Sequence, residues 1–154
     1  MNTPQAKFLI VGLGPVGGIL AALLKTAGMS VTGVDNHEEH LEAINKHGLR
    51  LEGVISKTVR LDRAVSSLSA LDTNDFDYVI MAVKAPVTLR LAPDLLKMGG
   101  NFRVVSMQNG IDNEEFLAHD FGRERTMRVV VNFAGGVTAP GVINMTFFNP
   151  PNYV

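Results

Sequence analysis

Cysteine is the residue whose absence excludes the most chemistry. The chain has 154 residues and contains no cysteine, which rules out disulfide frameworks, zinc sites built on thiolates and cysteine nucleophiles. A cytoplasmic location fits this composition. Any binding or catalytic chemistry must therefore use other polar side chains, the backbone or a bound cofactor.

Charge is also scarce. Charged residues make up 19% of the sequence, and 14 basic and 15 acidic side chains leave a formal net charge of −1. This balance provides no excess of positive charge that would bind nucleic acid or an anionic membrane surface. The hydrophobic share of 46% excludes a disordered chain, and the length of 154 residues indicates one domain. The small share of charged residues indicates a partly covered surface.

A long uncharged run near the start, residues 8–24, could be taken for a membrane span. Four glycines and one proline interrupt it, however, and a single lysine precedes it. Neither a signal peptide nor a membrane helix has this pattern. We expect no membrane segment, and we interpret the run as the buried start of a soluble fold.

Short apolar segments alternate along the chain with segments of helical spacing. The predicted strands are Lys7–Val11, Ser30–Val34, Tyr78–Val83, Phe102–Met107, Thr126–Phe133 and Val142–Phe148. A first helix is predicted over Val16–Ala27, and the last two strands are joined by a turn. That turn contains Gly135, Gly136, Pro140 and Gly141. The alternation predicts an α/β fold with a doubly wound, mostly parallel sheet and helices on both faces.

Two further helices are placed by their capping signals. Asn36 with Glu39 resembles a capping box for a helix that reaches His47. Asn113 has the character of a cap for a helix near Phe116–His119. Both predictions depend on a polar side chain that satisfies the first free amides of the helix.

Two segments are harder to assign. Pro93 falls inside a helical pattern, so we predict two short helical pieces, Val87–Leu91 and Pro93–Lys97, instead of one straight helix. The alternating stretch Leu49–Val65 predicts a pair of short strands or a strand with an irregular return.

The first predicted strand leads into Gly12–Gly17, whose sequence GLGPVG matches GxGxxG. The pattern alone is weak, but here it follows a strand and opens a helix. Gly12 permits a tight turn, Gly14 lets the backbone approach a pyrophosphate, and Gly17 lets the helix pack closely. The other loop residues are Leu13, Pro15 and Val16. The motif predicts a Rossmann-type dinucleotide site with the phosphates at the helix N-terminus; the alternative is a glycine loop with no ligand.

Asp35 ends the second predicted strand, about 20 residues beyond the glycine loop, where this class of site carries an acidic residue. A carboxylate there accepts hydrogen bonds from a ribose 2′-OH and repels a 2′-phosphate. No lysine or arginine lies between Asp35 and Lys46. NAD is therefore favoured over NADP, and the alternative is that Asp35 only caps the following helix.

Two polar residues follow later strands. Lys84 comes after the strand that ends at Val83, and Asn109 comes after the next one. Ligands of open α/β sheets bind at the carboxyl ends of the strands. Both side chains are therefore expected to border the crevice beside the glycine loop, although a strand-end lysine can also be an ordinary solvated charge.

These motifs together resemble the ketopantoate reductase (2-dehydropantoate 2-reductase) family over nearly the whole chain. The resemblance rests on GLGPVG, on VKA at Lys84, on QNGIDNEE over Gln108–Glu115 and on a final hairpin with Pro140–Gly141 at its turn. It implies an NAD(P)H-dependent reduction of ketopantoate to pantoate in pantothenate biosynthesis. It also implies that Gly12–Gly17 binds the cofactor, that Lys84 and Asn109 reach the nicotinamide and the substrate, and that Gly135 lies beside the cofactor.

The chain departs from the family in two ways. Family members that use NADP commonly carry a basic residue in place of Asp35. The use of NADP is therefore implied only by the resemblance to the family. The family's C-terminal helical domain, which supplies the proton donor, is expected to be missing from residues 1–154, so no catalytic residue is assigned. That domain would be a partner in cis or in trans, and a homodimer through the uncovered face is a further expectation.

Alternative functions remain open. One is an NAD-dependent 2-hydroxy acid dehydrogenase of the same superfamily, acting on another 2-oxo acid. The other is an NAD(H)-binding module without catalysis, which would have no use for Lys84 and Asn109. No metal is expected: His37 and His40 are spaced by one helical turn, but no third ligand accompanies them, and a solvated first turn is favoured.

Overall fold

The architecture is an alternation of short apolar strands and helices around one parallel sheet. The computed structural model describes residues 5–150, so both ends of the predicted 1–154 domain lie outside the described residues. Strands β1 to β10 span Lys7–Val11, Ser30–Val34, Leu49–Gly53, Lys57–Val59, Arg63–Val65, Tyr78–Met81, Arg103–Ser106, Thr126–Arg128, Phe133–Ala139 and Val142–Phe148. Helices α1 to α4 span Pro15–Thr26, Glu38–His47, Ala85–Met98 and Asn113–Phe121. Short 3-10 turns occupy Leu68–Ala70 and Arg123–Arg125.

The main sheet has six parallel strands in the order β5-β2-β1-β6-β7-β8. Its central strand buries both faces. Leu9 and Val11 belong to a core cluster that includes residues of α3 and α4, while Ile10 belongs to a second cluster with α1 and α2. Because successive side chains of a strand point to opposite faces, helices cover both sides of the sheet. The predicted doubly wound α/β fold is confirmed.

A second sheet of four strands, β4-β3-β10-β9, was not predicted. It packs against α1, which also contacts β1 and β2 of the main sheet. A Cβ on Gly18 would lie 2.2 Å from the Cδ1 atom of Ile143 in β10, so this glycine permits the close contact. Leu49–Val65 accordingly forms three strands that divide between the two sheets, because β5 pairs with β2 while β3 and β4 pair with each other.

The final segments also differ from the prediction. The predicted strand Thr126–Phe133 is split, since β8 ends at Arg128 and β9 begins at Phe133. Gly135 and Gly136 lie within β9, and only Pro140–Gly141 forms the turn. Hydrogen bonds between β9 and β10 explain the difference, because they extend regular pairing through the two glycines.

Pro93 does not divide α3, and the prediction of two short helices is wrong. One helix runs through Ala85–Met98 with Pro93 inside it. A proline removes one backbone hydrogen bond of the helix. The buried face of Thr88, Ala92 and Leu95 holds the helix against the sheet on both sides of the proline, and this packing outweighs the local loss.

Both predicted helix caps are displaced by one residue. His37, not Asn36, caps α2, and its Nδ1 atom accepts a hydrogen bond from the His40 amide at 3.3 Å. Asp112, not Asn113, is the cap residue of α4, with a left-handed φ of 67° and no side-chain hydrogen bond to the helix. The Asn113 side chain instead donates to the carbonyl of Asn109 at 3.1 Å.

Asp62 ties the edge strand β5 to its neighbour. Its carboxylate accepts hydrogen bonds from the Val31 amide at 2.6 Å, the Lys25 ammonium at 2.9 Å and the Ser30 hydroxyl at 3.3 Å. Partial burial by itself raises the pKa of Asp62, but the hydrogen bonds from Lys25 and Val31 outweigh burial and hold this pKa below its ordinary value. The ionised carboxylate therefore stabilises the fold above the unfolded-state pKa, and that contribution is lost as the pH falls through the folded-state pKa.

We expect Asp62→Asn to lower the free energy of unfolding by about 1 kcal/mol at pH 7, because the Lys25 contact is half exposed and screened by solvent. Urea unfolding from pH 7 downward should show a constant difference from wild type that shrinks below about pH 4. Asp94→Asn is the control, since Asp94 pairs with Lys97 on the surface. An equal loss in both variants, or a difference that does not change with pH, would contradict this role.

Candidate functional site

A large cleft opens where the strand order of the main sheet reverses. From β1 the chain crosses to β2 on one side, and it later returns to β6 on the other side. The cleft has a volume of about 1110 Å³ and is bordered by the residues that follow β1, β2 and β6. Ligands of doubly wound sheets bind at this reversal, outside the carboxyl ends of the strands.

The glycine loop forms the floor of this cleft. Gly12 has φ of +98°, and its amide donates to the carbonyl of Val34 at 2.8 Å, which joins the end of β1 to β2. A Cβ on Gly17 would lie 1.8 Å from the Gly12 carbonyl oxygen, whereas a Cβ on Gly14 would meet nothing within 4 Å. Gly17 therefore serves the packing of α1, and Gly14 faces open space.

The N-terminus of α1 meets that open space. Gly14 is its cap residue, without a side-chain hydrogen bond, and the first turn contains no acidic residue. Pro15 is the first residue of α1, a position at which a backbone amide would have no partner within the helix. The uncapped amides and the positive end of the helix dipole are suited to an anion such as a diphosphate.

The remaining loop residues lie behind the cleft surface. Leu13 is fully buried, and a Cβ on Gly33 would lie 2.7 Å from its Cδ1 atom, so the Leu13 side chain packs directly over β2. Val16 is partly buried against the core cluster of α1. These two predicted cofactor residues can contribute only backbone or supporting contacts, while Gly12, Gly14 and Pro15 line the cleft itself.

Asp35 lies on the wall of the cleft at the end of β2. Its Oδ2 atom accepts a hydrogen bond from the Leu13 amide at 2.7 Å, and its Oδ1 atom accepts one from the His37 amide at 2.9 Å. The carboxylate thus orients the glycine loop and supports the start of α2, while its predicted role toward a cofactor ribose stays a prediction. Each oxygen can accept a further hydrogen bond.

Lys84 and Asn109 emerge side by side from neighbouring strands. Met81 of β6 pairs with Ser106 of β7. Lys84 and Asn109 each lie three residues beyond these paired positions. Lys84 is exposed and lines the cleft, and it forms no ion pair within residues 5–150. Asn109 is not among the residues that line the cleft. It lies on the exposed loop beyond β7.

Gln108 joins the two loops, a role that sequence reasoning missed although Gln108 lies in the motif. Its side-chain amide donates to the carbonyl of Val83 and to the Oγ1 atom of Thr88 at 2.6 Å. Its Oε1 atom is buried without a partner in the described part of the chain. The residues immediately before Lys84 and Asn109 are therefore held together.

Gly135 lies apart from the glycine loop residues that line the cleft. It pairs with Met145 in the second sheet, and a Cβ on it would lie 2.6 Å from the Asn144 carbonyl oxygen and 3.0 Å from the Ile19 Cδ1 atom. It lines neither the main cleft nor the smaller one. Its predicted position beside a cofactor remains a prediction.

The interpretation of His40 as part of a solvated turn is wrong. His40 is 4% exposed, whereas His37 is exposed at the start of α2. A smaller cavity of about 490 Å³ touches both histidines and shares Gly14 and Asp35 with the main cleft. Within residues 5–150, no group of three or more His, Asp or Glu side chains could hold a metal ion.

Comparison with known proteins identifies the family. Residues 8–152 match the family model described as Ketopantoate reductase PanE/ApbA. The chain belongs to the ketopantoate reductase family. A 2-dehydropantoate 2-reductase from Pyrococcus abyssi is 30% identical over 140 residues, which cover 91% of this chain and 44% of that protein. The corresponding enzyme from Mesorhizobium japonicum is 38% identical over 109 residues, covering 68% of this chain and 32% of that protein.

Solved structures with the same fold superpose on most of this chain. A PanE/ApbA family ketopantoate reductase from Ralstonia eutropha is 28% identical with a TM-score of 0.74, covering 90% of this chain and 46% of that chain. D-mandelate dehydrogenase with NADH and anilino(oxo)acetate has a TM-score of 0.76 at 22% identity, covering 90% of this chain and 45% of that chain, and it shows the shared fold. The chain spans less than half the length of these relatives. None of the helices in residues 5–150 has the length and apolar character that crossing a membrane requires.

Proposed function

We propose that this chain is the NAD(H)-binding domain of a ketopantoate reductase or a closely related 2-oxo acid reductase. The observation that carries the proposal is the arrangement of Gly14 and Asp35 on one cleft. Gly14 leaves open space at the uncapped N-terminus of α1, and the Asp35 carboxylate stands at the end of the adjacent strand. A dinucleotide needs these two features, one for its diphosphate and one for its adenosine ribose.

The same geometry favours NAD over NADP. The two Asp35 oxygens already accept hydrogen bonds from Leu13 and His37, which hold the carboxylate in place beside the cleft, and each oxygen can accept a further hydrogen bond. Ribose hydroxyls can donate to them, whereas a 2′-phosphate would bring a second negative charge against the carboxylate. The neighbouring wall residues Asn36, Ser66 and Ser67 carry no charge that would offset this repulsion.

Lys84 and Asn109 support the assignment of the nicotinamide end. A bound nicotinamide cofactor supplies hydride to a substrate carbonyl carbon. Lys84 has no ion-pair partner within residues 5–150, so its ammonium is available to a 2-oxo acid carboxylate or carbonyl. Gln108 fixes the separation of the two loops, which keeps Lys84 and Asn109 side by side.

The proton donor is proposed to come from a further domain, in cis or in trans. Relatives such as the Pyrococcus abyssi enzyme are more than twice as long as the matched region. Asp35 also supports an alternative function, the reduction of another 2-oxo acid. A carboxylate at this position favours NADH, which fits relatives that act on other 2-oxo acids with NADH. Assays with a panel of 2-oxo acids and the complete enzyme would separate ketopantoate from these alternatives.

We expect this chain to bind NADH and not to turn over ketopantoate at an enzymatic rate. NADH fluorescence titration should saturate, and ADP-ribose should compete because the diphosphate and adenosine ribose occupy the sites described above. Nicotinamide mononucleotide, which lacks the adenosine half, serves as the control and should compete far less. Normal ketopantoate reduction by the isolated chain, or the absence of saturable NADH binding, would refute the proposal.

A further inference from the structure

His40 makes two hydrogen bonds to parts of the chain that are far apart in sequence. Its Nε2 atom lies 2.9 Å from the carbonyl oxygen of Leu13 in the glycine loop. Its Nδ1 atom lies 3.0 Å from the amide nitrogen of Gly141, at the turn between β9 and β10. The imidazole is buried, so water does not compete for either contact.

The Gly141 contact determines the tautomer of His40. A backbone amide can only donate, so the Nδ1 atom must be the unprotonated acceptor. The hydrogen of the neutral ring is then on Nε2, where it is donated to the Leu13 carbonyl. The turn is held from its other side as well, because the Gly141 carbonyl accepts from the Arg50 amide at 2.9 Å.

The Leu13 contact sets the direction of the next amide. Both polar groups of Leu13 are occupied, its amide by Asp35 and its carbonyl by His40. In a trans peptide the carbonyl and the following N–H point in opposite directions. With the Leu13 carbonyl drawn toward His40, the Gly14 N–H is turned away from His40, and Gly14 itself lines the main cleft.

We propose that His40 is a positioning residue for the cofactor diphosphate. It holds the Leu13–Gly14 peptide in the one orientation that presents the Gly14 N–H to a phosphate oxygen. It uses the β9–β10 turn as the anchor that keeps its own ring and tautomer in place. The proposal rests on the proposed function, since it assumes that the diphosphate of NAD(H) is bound at this loop.

Two substitutions separate the contact with the loop from the contact with the turn. In His40→Gln the amide nitrogen can replace Nε2 and donate to Leu13, but the contact with Gly141 is lost. In His40→Asn the side-chain oxygen can replace Nδ1 and accept from Gly141, but the contact with Leu13 is lost. Each variant loses one buried hydrogen bond, so the two are matched in their expected loss of stability.

We expect the Kd for NADH, measured by fluorescence titration, to rise about tenfold or more in His40→Asn. In His40→Gln, which keeps the donor to Leu13 but loses the anchor at the turn, the Kd should rise by only about threefold. Thermal unfolding without cofactor should show similar losses in both. Equal weakening of binding in the two variants, or wild-type affinity in His40→Asn, would overturn the positioning role while leaving the proposed function standing.

The tautomer provides a measurement that needs no variant. Nitrogen-15 NMR of the wild-type chain should show the His40 ring with hydrogen on Nε2 and an unprotonated Nδ1, its signals being assigned by their loss in His40→Gln. A His40 ring with hydrogen on Nδ1 would overturn the proposal even if His40→Asn failed to fold. A wild-type chain that does not bind NADH would refute the proposed function, and the positioning role would fall with it.

Discussion

Replacing Gly14 with alanine is expected to remove most NADH binding while leaving the fold unchanged. A Cβ at this position meets no protein atom within 4 Å, and the Gly14 φ of −67° is accessible to alanine. The added methyl group instead enters the space in which the diphosphate would approach the backbone. We expect the Kd for NADH to rise by about 100-fold, as for a lost charge-assisted contact with displacement of the phosphate.

Gly17→Ala is the matched variant, because it makes the same chemical change in the same loop. Its Cβ would lie 1.8 Å from the Gly12 carbonyl oxygen and 2.9 Å from the Ala82 Cβ atom. Neither atom can move without shifting α1 from the sheet, so we expect a loss of about 3 kcal/mol or more in stability without cofactor. Thermal unfolding and NADH titration of both variants measure the difference. A destabilised Gly14→Ala, or normal binding in it, would contradict the assignment of Gly14 to the phosphates.

The glycine loop and Asp35 could be predicted because their signals are local. The turn at Gly12 and the approach of α1 depend on residues within Gly12–Gly17, and the place of Asp35 depends on the length of one βαβ unit. The same holds for the parallel sheet, whose buried strands are continuous apolar runs. Local pattern and tertiary structure agree in this half of the chain, and four residues with a local signal, Gly12, Gly14, Pro15 and Asp35, line the cleft.

The second sheet and the role of His40 could not be predicted in the same way. Strand β3 pairs with β10, and the His40 ring contacts Gly141, which is 101 residues away in the sequence. The hydrophobic pattern of α2 does not indicate that the His40 ring contacts the β9–β10 turn, which lies near the other end of the sequence. At Pro93 a local signal was misleading. Proline disfavours a helix interior, but the packing of the buried face of α3 outweighs this preference.

Under the proposed function, these nonlocal contacts connect the second sheet to the loop expected to bind the diphosphate. Through His40 the β9–β10 turn supports the Leu13 carbonyl, and through Asp35 strand β2 supports the Leu13 amide. The loop that is expected to bind the diphosphate is therefore held from both sides of α1. A change in the hairpin turn would be felt at the phosphates without any direct contact to them.

Asp35→Asn is expected to shift the preference of the chain from NADH toward NADPH by about 10- to 100-fold, measured as the ratio of the two Kd values. In the proposed complex the wild-type carboxylate would accept charge-assisted hydrogen bonds from ribose hydroxyls, each of which contributes roughly 1.5 to 3 kcal/mol. Removing the charge weakens these bonds and also removes the repulsion of a 2′-phosphate. Fluorescence titration with both cofactors, at low and high salt, measures the two effects.

The ratio of the two Kd values is the decisive quantity, because Asp35 also accepts the Leu13 and His37 amides. A disturbance of the loop alone would weaken both cofactors equally and leave the ratio unchanged. Asp72→Asn is the control, since Asp72 lines the same cleft and makes the same change in charge, but its partner is Arg63. If Asp72→Asn shifted the ratio as strongly, or if wild type bound NADPH as tightly as NADH, Asp35 would not be the residue that discriminates between the cofactors.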